Sequence, residues 1–557
     1  MQTYANAIVE SLPAFGCDKA FGVSGTNIHH IWKALHRPDI KVYHFRHESG
    51  AAFAAAEYSI LTGKFVIVFV TSGPGITNAI TGLRCARADG ARIVFIAGLT
   101  SEETDRAGPR LVQETFPMDV EGLTGPTVDS TLSYCVIVRD HLDVWRLRQT
   151  LMRIKRDPLG GVLGVFLTDA KSKSIIPQQR PKFELIPFPS LSKEALDVCK
   201  EVVEMLKTKG SVLWIGYGCR GSSFLVRQLA ERYYLPVLAT PRAKGIFPET
   251  HRLYQGTTGL GASLNPTMRA TPPTGVLLLG SKAAELSSMF IQGGWACTIF
   301  YCVSLETSEV KRNMPKSSVF IEAEIGLFLK AVLEIKVPGH RIVKPPIPKA
   351  TIPPIPATSK GQIHPSRIMS IVQDVAINRG GCSIIAEAGK SLCWTAHYLK
   401  FHKHGLYRSN LDSSPMGHAV CGVVGMGLAD NHAVAVVSDA AMLKQSEVST
   451  AVLYGSKAIW LVMNGSRYGT FDQPSRAGGD VPPPYCIPYT DFALLARAVG
   501  CEGSTVTGEK ELREALKEAL MRDGPTVINV LMDSSPVASL KPKKHSSPEM
   551  PLGSTDS

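Results

Sequence analysis

Two carboxylates stand where a strand-like apolar run gives way to a small-residue helix, and that placement assigns each a chemistry. Glu48 follows the alternating run Lys41-Val42-Tyr43-His44-Phe45 and opens the helical stretch Ala51 to Ala56. A glutamate at such a junction is poorly solvated, so its carboxyl pKa is expected to rise and its protonated form to persist near neutrality, as a proton relay requires. The plain alternative is a helix-start glutamate that complements the dipole. Asp439 lies at the end of the buried-strand pattern Ala433 to Ser438 and precedes Ala440 and Ala441. An aspartate so delivered can hold a divalent cation, which in turn neutralises a diphosphate.

The elements that must position these groups follow from periodicity. Short apolar runs at Ala20 to Val23, Phe65 to Val70, Ile93 to Ala97 and Val162 to Leu167 alternate with helical patterns, which predicts a parallel sheet covered on both faces, with ligands at the carboxyl ends of its strands. The pattern restarts at Ser211 to Gly218 and again near Ile363, separated by a polar connector from Lys171 to Ser190 and a proline-rich stretch from Lys336 to Gln362. A chain of 557 residues is long enough for three such units, each with its own core. The apolar runs are the length of buried strands and far short of a membrane span.

A formal charge of +12 is spread along the chain rather than gathered into a basic stripe with aromatics, which argues against a nucleic-acid partner. The 12 cysteines show neither a CxxC pair nor metal-ligand spacing, and the amino terminus does not read as a signal peptide, so reduced thiols in a cytoplasmic enzyme without a membrane segment are expected.

Phe21-Gly22-Val23-Ser24-Gly25-Thr26, Arg46-His47-Glu48, Val70 to Asn78 and Leu111-Val112-Gln113-Glu114-Thr115-Phe116 together resemble the amino-terminal domain of the thiamine-diphosphate enzymes, in particular the acetolactate synthase-like group. The strand ending in Asp439 and the later strand ending Asn464-Gly465 resemble that family's metal-diphosphate motif. The resemblance implies an α/β chain of three doubly wound parallel-sheet domains: a pyrimidine-binding domain at 1–172, a middle domain at 185–335, a linker at 336–362, a diphosphate-binding domain at 363–540, and a disordered tail at 541–557. It implies that Glu48 contacts N1′ of the aminopyrimidine of thiamine diphosphate and favours its imino form. Gly389, Lys390 and Ser391 would offer donors to the diphosphate. Met416 would wedge the cofactor into its bent form, the carbonyl of Ser414 would hold the pyrimidine edge, and Asp439, Ala440, Ala441, Asn464 and Tyr468 would complete the cofactor site. Lys390 is either a charge on the phosphates or an exposed loop cation.

The departures from the family pattern are informative. Ser438 and Ala440 replace two glycines, and Gly465 stands where an asparagine normally ligates the metal, which leaves Asp439 and Asn464 as side-chain ligands to Mg²⁺ and suggests a weak site. Hydrated magnesium tolerates this because it keeps several waters. The middle domain lacks the charged run of the FAD-binding members, so FAD is unlikely on this pattern. A cofactor reached by Glu48 of one chain and Asp439 of another implies a homodimer or homotetramer with the active site at the subunit interface.

The reaction implied is a carboligation: a 2-oxo acid loses CO₂ on the cofactor and is joined to a second carbonyl compound. The segment from Gly98 to Tyr134 contains no histidine, whereas pyruvate decarboxylase-like relatives carry a pair there. Gln113 matches a polar residue near the reacting carbon, and Asn27 stands where benzaldehyde lyase-like relatives carry a substrate-facing histidine. Thr168-Asp169-Ala170 replaces a lysine of some synthases, which sets true acetolactate synthesis in question. The competing readings are a simple 2-oxo acid decarboxylase, a carbon–carbon lyase, and a non-catalytic member of the family.

Overall fold

Eighteen strands among the described residues form three six-stranded sheets, all parallel. The computed structural model describes residues 2–102, 109–125, 130–177, 190–264, 272–288, 299–336, 362–467 and 486–534. The first sheet comprises β1 (Lys19–Gly22), β2 (Lys41–His44), β3 (Val66–Val70), β4 (Arg92–Leu99), β5 (Tyr134–Ile137) and β6 (Gly161–Thr168), in the order β2-β1-β3-β4-β6-β5. The second comprises β7 (Ser211–Ile215), β8 (Val237–Ala239), β9 (Tyr254–Thr257), β10 (Gly275–Leu279), β11 (Ile299–Ser304) and β12 (Val319–Glu322), in the order β12-β11-β10-β7-β8-β9. The third comprises β13 (Ser383–Ala386), β14 (Tyr407–Ser409), β15 (Ala433–Ser438), β16 (Ala458–Asn464), β17 (Glu502–Val506) and β18 (Thr526–Leu531), in the order β14-β13-β15-β16-β18-β17. The inner strands are buried on both faces, β3, β6 and β16 along their whole length, which is why the sequence shows them as continuous apolar runs.

The chain divides into two compact units. The first draws on Met1–Ser190, Pro354–Thr395 and Gly405–Ser535, so it contains both the first and the third sheet. One core runs through it, from Phe21, Val68 and Phe95 to Val420, Val423 and Trp460. At its centre the helix Glu48–Thr62 packs on the helix His418–Gly427. Ala51, Ala52, Ala54 and Ala55 are fully enclosed, and a Cβ at Gly425 would collide with the carbonyl of Ala54. Small side chains are thus what lets the two backbones approach.

Charges close the same helix pair. Arg408 Nε donates to Glu57 Oε2 at 2.8 Å and its Nη2 to Glu57 Oε1 at 3.1 Å and Asp89 Oδ2 at 3.3 Å, while His418 Nε2 donates to Glu57 Oε1 at 2.9 Å. All four residues are buried. Burial alone would raise the Glu57 carboxyl, but Arg408 and His418 hold it well below the usual range. Burial alone would lower the His418 imidazole, but Glu57, with Asp89 and Glu387 behind it, raises it.

The second unit, drawn from Leu191–Pro353, Ala396–His404 and Pro536–Ser557, is built on the middle sheet. Its members from the later part of the chain are joined by hydrogen bonds from Glu249 N to Phe401 O (3.0 Å) and between His397 Nδ1 and Ala262 O (2.9 Å). Inside it the ion pair Lys244–Glu249, at 2.8 Å, is enclosed by apolar residues. No described helix is long and apolar enough to cross a membrane. Most of the linker (337–361) and the whole tail lie outside the described residues.

The close helix packing predicts that Gly425→Ala, which places a methyl group against backbone, destabilises the chain by about 1–3 kcal/mol. Gly122→Ala, where a Cβ meets nothing within 4 Å, should stay within about 0.5 kcal/mol. Denaturant titration of the two variants beside wild type measures both.

Candidate active site

At the carboxyl edge of the first sheet, four side chains converge on one turn. The turn Ser72-Gly73-Pro74-Gly75 joins β3 to the helix Pro74–Asp89, and Gly73 adopts the left-handed conformation (φ +57°) that leaves room for its neighbour. Asn27 Nδ2 donates to Ser72 Oγ at 2.6 Å. Gly73 N donates to Thr115 Oγ1 at 2.8 Å, which seats the backbone of Gln113 against Gly73. Gln113 is itself held in a left-handed conformation (φ 58°) and stays exposed. One helical turn on, Asn78 Nδ2 donates to Glu48 Oε2 at 3.1 Å.

Glu48 is the first residue of its helix and 8% exposed, with His47 capping the helix by accepting from Ser49 N. The preceding backbone is anchored from the third sheet's side of the unit: Glu447, fully buried, accepts from Arg46 N (3.2 Å) and His47 N (2.9 Å) and from Thr450 Oγ1 (2.5 Å). A Cβ on Gly50 would collide with that carboxylate, so the glycine is what admits it.

At the carboxyl edge of the third sheet the groups are of another kind. Asp439, 3% exposed, starts the turn after β15; its Oδ1 accepts from Ala440 N at 2.8 Å and its Oδ2 from Gly465 N at 3.1 Å. Burial raises its carboxyl pKa, opposed by the backbone N–H groups of Ala440, Gly465, Ser466 and Arg467. Ser438 caps this turn through Ala441 N, so a residue that departs from the family glycine still serves the backbone. Asn464 is buried at the end of β16, and its amide nitrogen donates to Thr490 O and Asn529 Oδ1, both at 2.9 Å. Tyr468 lies outside the described residues.

Gly389 (φ +99°) turns the chain from β13 into the helix Lys390–Tyr398, so Gly389, Lys390 and Ser391 form a helix start at the same edge as Asp439. Between them runs the loop from Asn410 to Gly417. Asn410 Oδ1 accepts from Ser413 N and Ser414 N, both at 3.0 Å, and Ser414 and Gly417 are left-handed. Met416 at its tip is 42% exposed, unusual for a large apolar side chain beside a buried helix. Glu387, fully enclosed, accepts from Gly417 N (3.1 Å) and Ala419 N (3.0 Å), and burial raises its pKa against the opposing charge of His418.

Met416 and Asn78 line one cavity of about 540 Å³, together with His47, Thr77, Lys444 and Glu447. Glu48, Asp439, Asn27 and Gln113 do not line it. Within one chain the structure therefore gathers Glu48, Asn27 and Gln113 at one edge and Asp439, Asn464 and the Gly389 helix start at another. Asn78, Glu387 and Glu447 are the positioning residues the sequence reading missed. Glu387 carries the same signal as Asp439, an acid at the end of a buried strand; Asn78 had no signal beyond its place in the Gly73 motif.

Three doubly wound parallel sheets with an acid and a helix start at the strand ends define a cofactor-binding α/β enzyme. Residues 2–121 match the N-terminal TPP binding domain of the thiamine pyrophosphate enzymes, residues 199–332 their central domain and residues 387–530 their C-terminal TPP binding domain. The chain belongs to the thiamine-pyrophosphate-dependent enzymes, in their acetolactate synthase-like group. It is 26% identical to the acetolactate synthase large subunit of Parasynechococcus marenigrum, over 94% of this chain and 87% of that one. Its identity to the corresponding subunit of Cyanidium caldarium is 24%, over 96% of this chain and 94% of that one. A Rhodococcus jostii thiamine diphosphate-dependent 4-hydroxybenzoylformate decarboxylase shares the fold, with a TM-score of 0.80 at 20% identity, covering 96% of this chain and 100% of that one.

Glu48→Gln keeps the shape of the side chain and can still meet Asn78, but it cannot exchange a proton. If Glu48 acts as a proton relay, turnover should fall by at least about 10²-fold while the denaturation midpoint moves little. A near wild-type rate would remove Glu48 from that role.

Proposed function

We propose that this enzyme is a thiamine-diphosphate-dependent carboligase that joins a decarboxylated 2-oxo acid to a second carbonyl compound. When bound, thiamine diphosphate supplies a thiazolium carbon that adds to the 2-oxo acid carbonyl and accommodates the negative charge left as CO₂ departs. The residues fit that group. Buried Asp439 and the Gly389-Lys390-Ser391 helix start lie at the same carboxyl edge of the third sheet, Met416 presents an exposed apolar surface, and among the described residues Glu48 accepts from the neutral amide of Asn78. Glu48 would exchange a proton with the pyrimidine, the Ser414 carbonyl would orient its edge, and Asn27 and Gln113 would orient substrate carbonyls.

The observation that carries ligation over decarboxylation is the lack of a histidine in the segment where decarboxylase-like relatives carry a pair. Gly98 to Tyr134 contains no histidine, and Gln113, which does not titrate, is seated there at the Gly73 turn. Nearby His44 is tied up: its Nε2 accepts from Ser24 N at 3.0 Å and lies 2.8 Å from Ser24 Oγ. General acid catalysis is typically worth about 10²–10⁴ in rate, so without it release of an aldehyde is slow and capture by a second carbonyl gains the advantage.

Two finer features belong to this proposal. The active site is completed by a second copy of the chain, a reading supported by the separation of Glu48 from Asp439 within one chain and by the exposed apolar residues Met416, Leu443, Leu111 and Val112. Mg²⁺ is held by Asp439, with Asn464 offering its oxygen, and less tightly than in relatives with an asparagine at the position of Gly465. The apoenzyme should therefore need excess magnesium to recover activity, and chelation should abolish turnover quickly; full activity after prolonged chelation would refute a weak site.

Product analysis tests the reaction. Incubation with a panel of 2-oxo acids, each with and without an acceptor aldehyde or second 2-oxo acid, should give hydroxyketones as the main products by mass. Free aldehyde as the sole product would move the enzyme to the decarboxylases. No product from any donor, despite bound cofactor, would favour a non-catalytic role.

A further inference from the structure

Glu57 holds both ends of the loop that carries Ser414 and Met416. Arg408, which forms two hydrogen bonds to Glu57, lies two residues before Asn410, where the loop begins; His418, hydrogen-bonded to the same carboxylate, directly follows Gly417, where it ends. Glu57 sits on the helix that starts at Glu48, about 14 Å further along at the rise of an α-helix. Through Arg408 the clamp also reaches Asp89, the last residue of the helix that carries Asn78. The two helices bearing Glu48 and its hydrogen-bond partner are thus fastened, in the interior, to the two ends of the Met416 loop.

That loop needs holding. Ser414 (φ 44°) and Gly417 (φ 97°) are both left-handed, a conformation that costs energy at a serine and persists only where the surroundings over-determine it. Asn410 and Glu387 fix its backbone from within the third sheet, and Glu57 is what relates it to the Glu48 helix. A buried ion pair contributes little to stability beyond what apolar packing would supply, so four charged groups kept out of water at this place point to geometry rather than stability as their use. We infer that Glu57 and His418 are positioning residues for the cofactor site, and that the His418–Glu57 hydrogen bond sets how tightly thiamine diphosphate is held by fixing the Met416 loop, which on the two-chain reading serves one site while the Glu48 helix it is fastened to serves the other. The inference rests on the cofactor site proposed above.

The test is calorimetric titration of the magnesium-supplemented apoenzyme with thiamine diphosphate, in wild type and three variants. His418→Phe removes the bond while keeping a ring against Phe53, with which His418 makes an edge contact at 5.6 Å. His418→Gln keeps a neutral donor near the position of Nε2. Leu151→Ala destabilises the first unit through a cavity in its other core layer, away from the loop. Affinity should fall about tenfold in His418→Phe and about threefold in His418→Gln, and should stay at the wild-type value in Leu151→Ala at a comparable loss of thermal stability. Wild-type affinity in His418→Phe, or an equal fall in Leu151→Ala, overturns the inference. Should His418→Phe fail to fold, His418→Gln decides it: weaker binding with faster amide exchange at residues 413–417 upholds the positioning role, and unchanged binding and exchange overturn it. Wild-type protein that binds no thiamine diphosphate overturns the cofactor reading and this inference with it, which separates the two failures.

Discussion

The constraint on which the first unit depends is the close approach of the helices Glu48–Thr62 and His418–Gly427. Each begins at the carboxyl edge of a different sheet, the first opening with Glu48 and the second following Met416 and Gly417. Alanine and glycine at the contact bring the backbones together, and the charges of Glu57, Arg408, His418 and Asp89 are sealed at its flank. Interactions between charges strengthen as water is excluded, so the packing and the ion network reinforce one another. Neither sheet can shift against the other without opening both.

The buried carboxylates fall into two sorts by what they face. Glu387, Glu447 and Asp439 accept from backbone N–H groups, and in each burial pushes the carboxyl pKa up while those bonds oppose it. Glu387 and Glu447 thereby fasten one chain segment to another, the Met416 loop to its helix and the Arg46-His47 backbone to the third sheet's side of the unit. Asp439 is held the same way at the carboxyl end of β15. Glu48 differs from all three: among the described residues its carboxylate accepts from the side-chain amide of Asn78 rather than from backbone N–H groups.

Much of this was legible in the sequence. Strands buried on both faces write themselves as apolar runs, so β1, β3, β4 and β6 lie where periodicity puts them, and an acid at a strand end marked Glu48 and Asp439. What was not legible depends on pairing across the chain. Glu57 meets Arg408 and His418 over separations of 351 and 361 residues, and no local pattern announces such a partnership. Asn464 reads as a candidate ligand by position, yet the direction of its amide, toward Thr490 and Asn529, is settled by neighbours that sequence order does not bring near. Glu387 and Asp439 present the same sequence signal, and only the fold shows that one accepts from Gly417 and Ala419 at the start of the next helix and the other from Ala440 and Gly465.

Gly465 also limits how this site can change. A Cβ there would lie 3.0 Å from the Met532 methyl and 3.1 Å from Ser534 Cβ, so a side chain at 465 requires these neighbours to give by a few tenths of an ångström. Positions 465, 532 and 534 are close enough to couple, so the effect of restoring a side-chain ligand at 465 depends on how far Met532 and Ser534 yield.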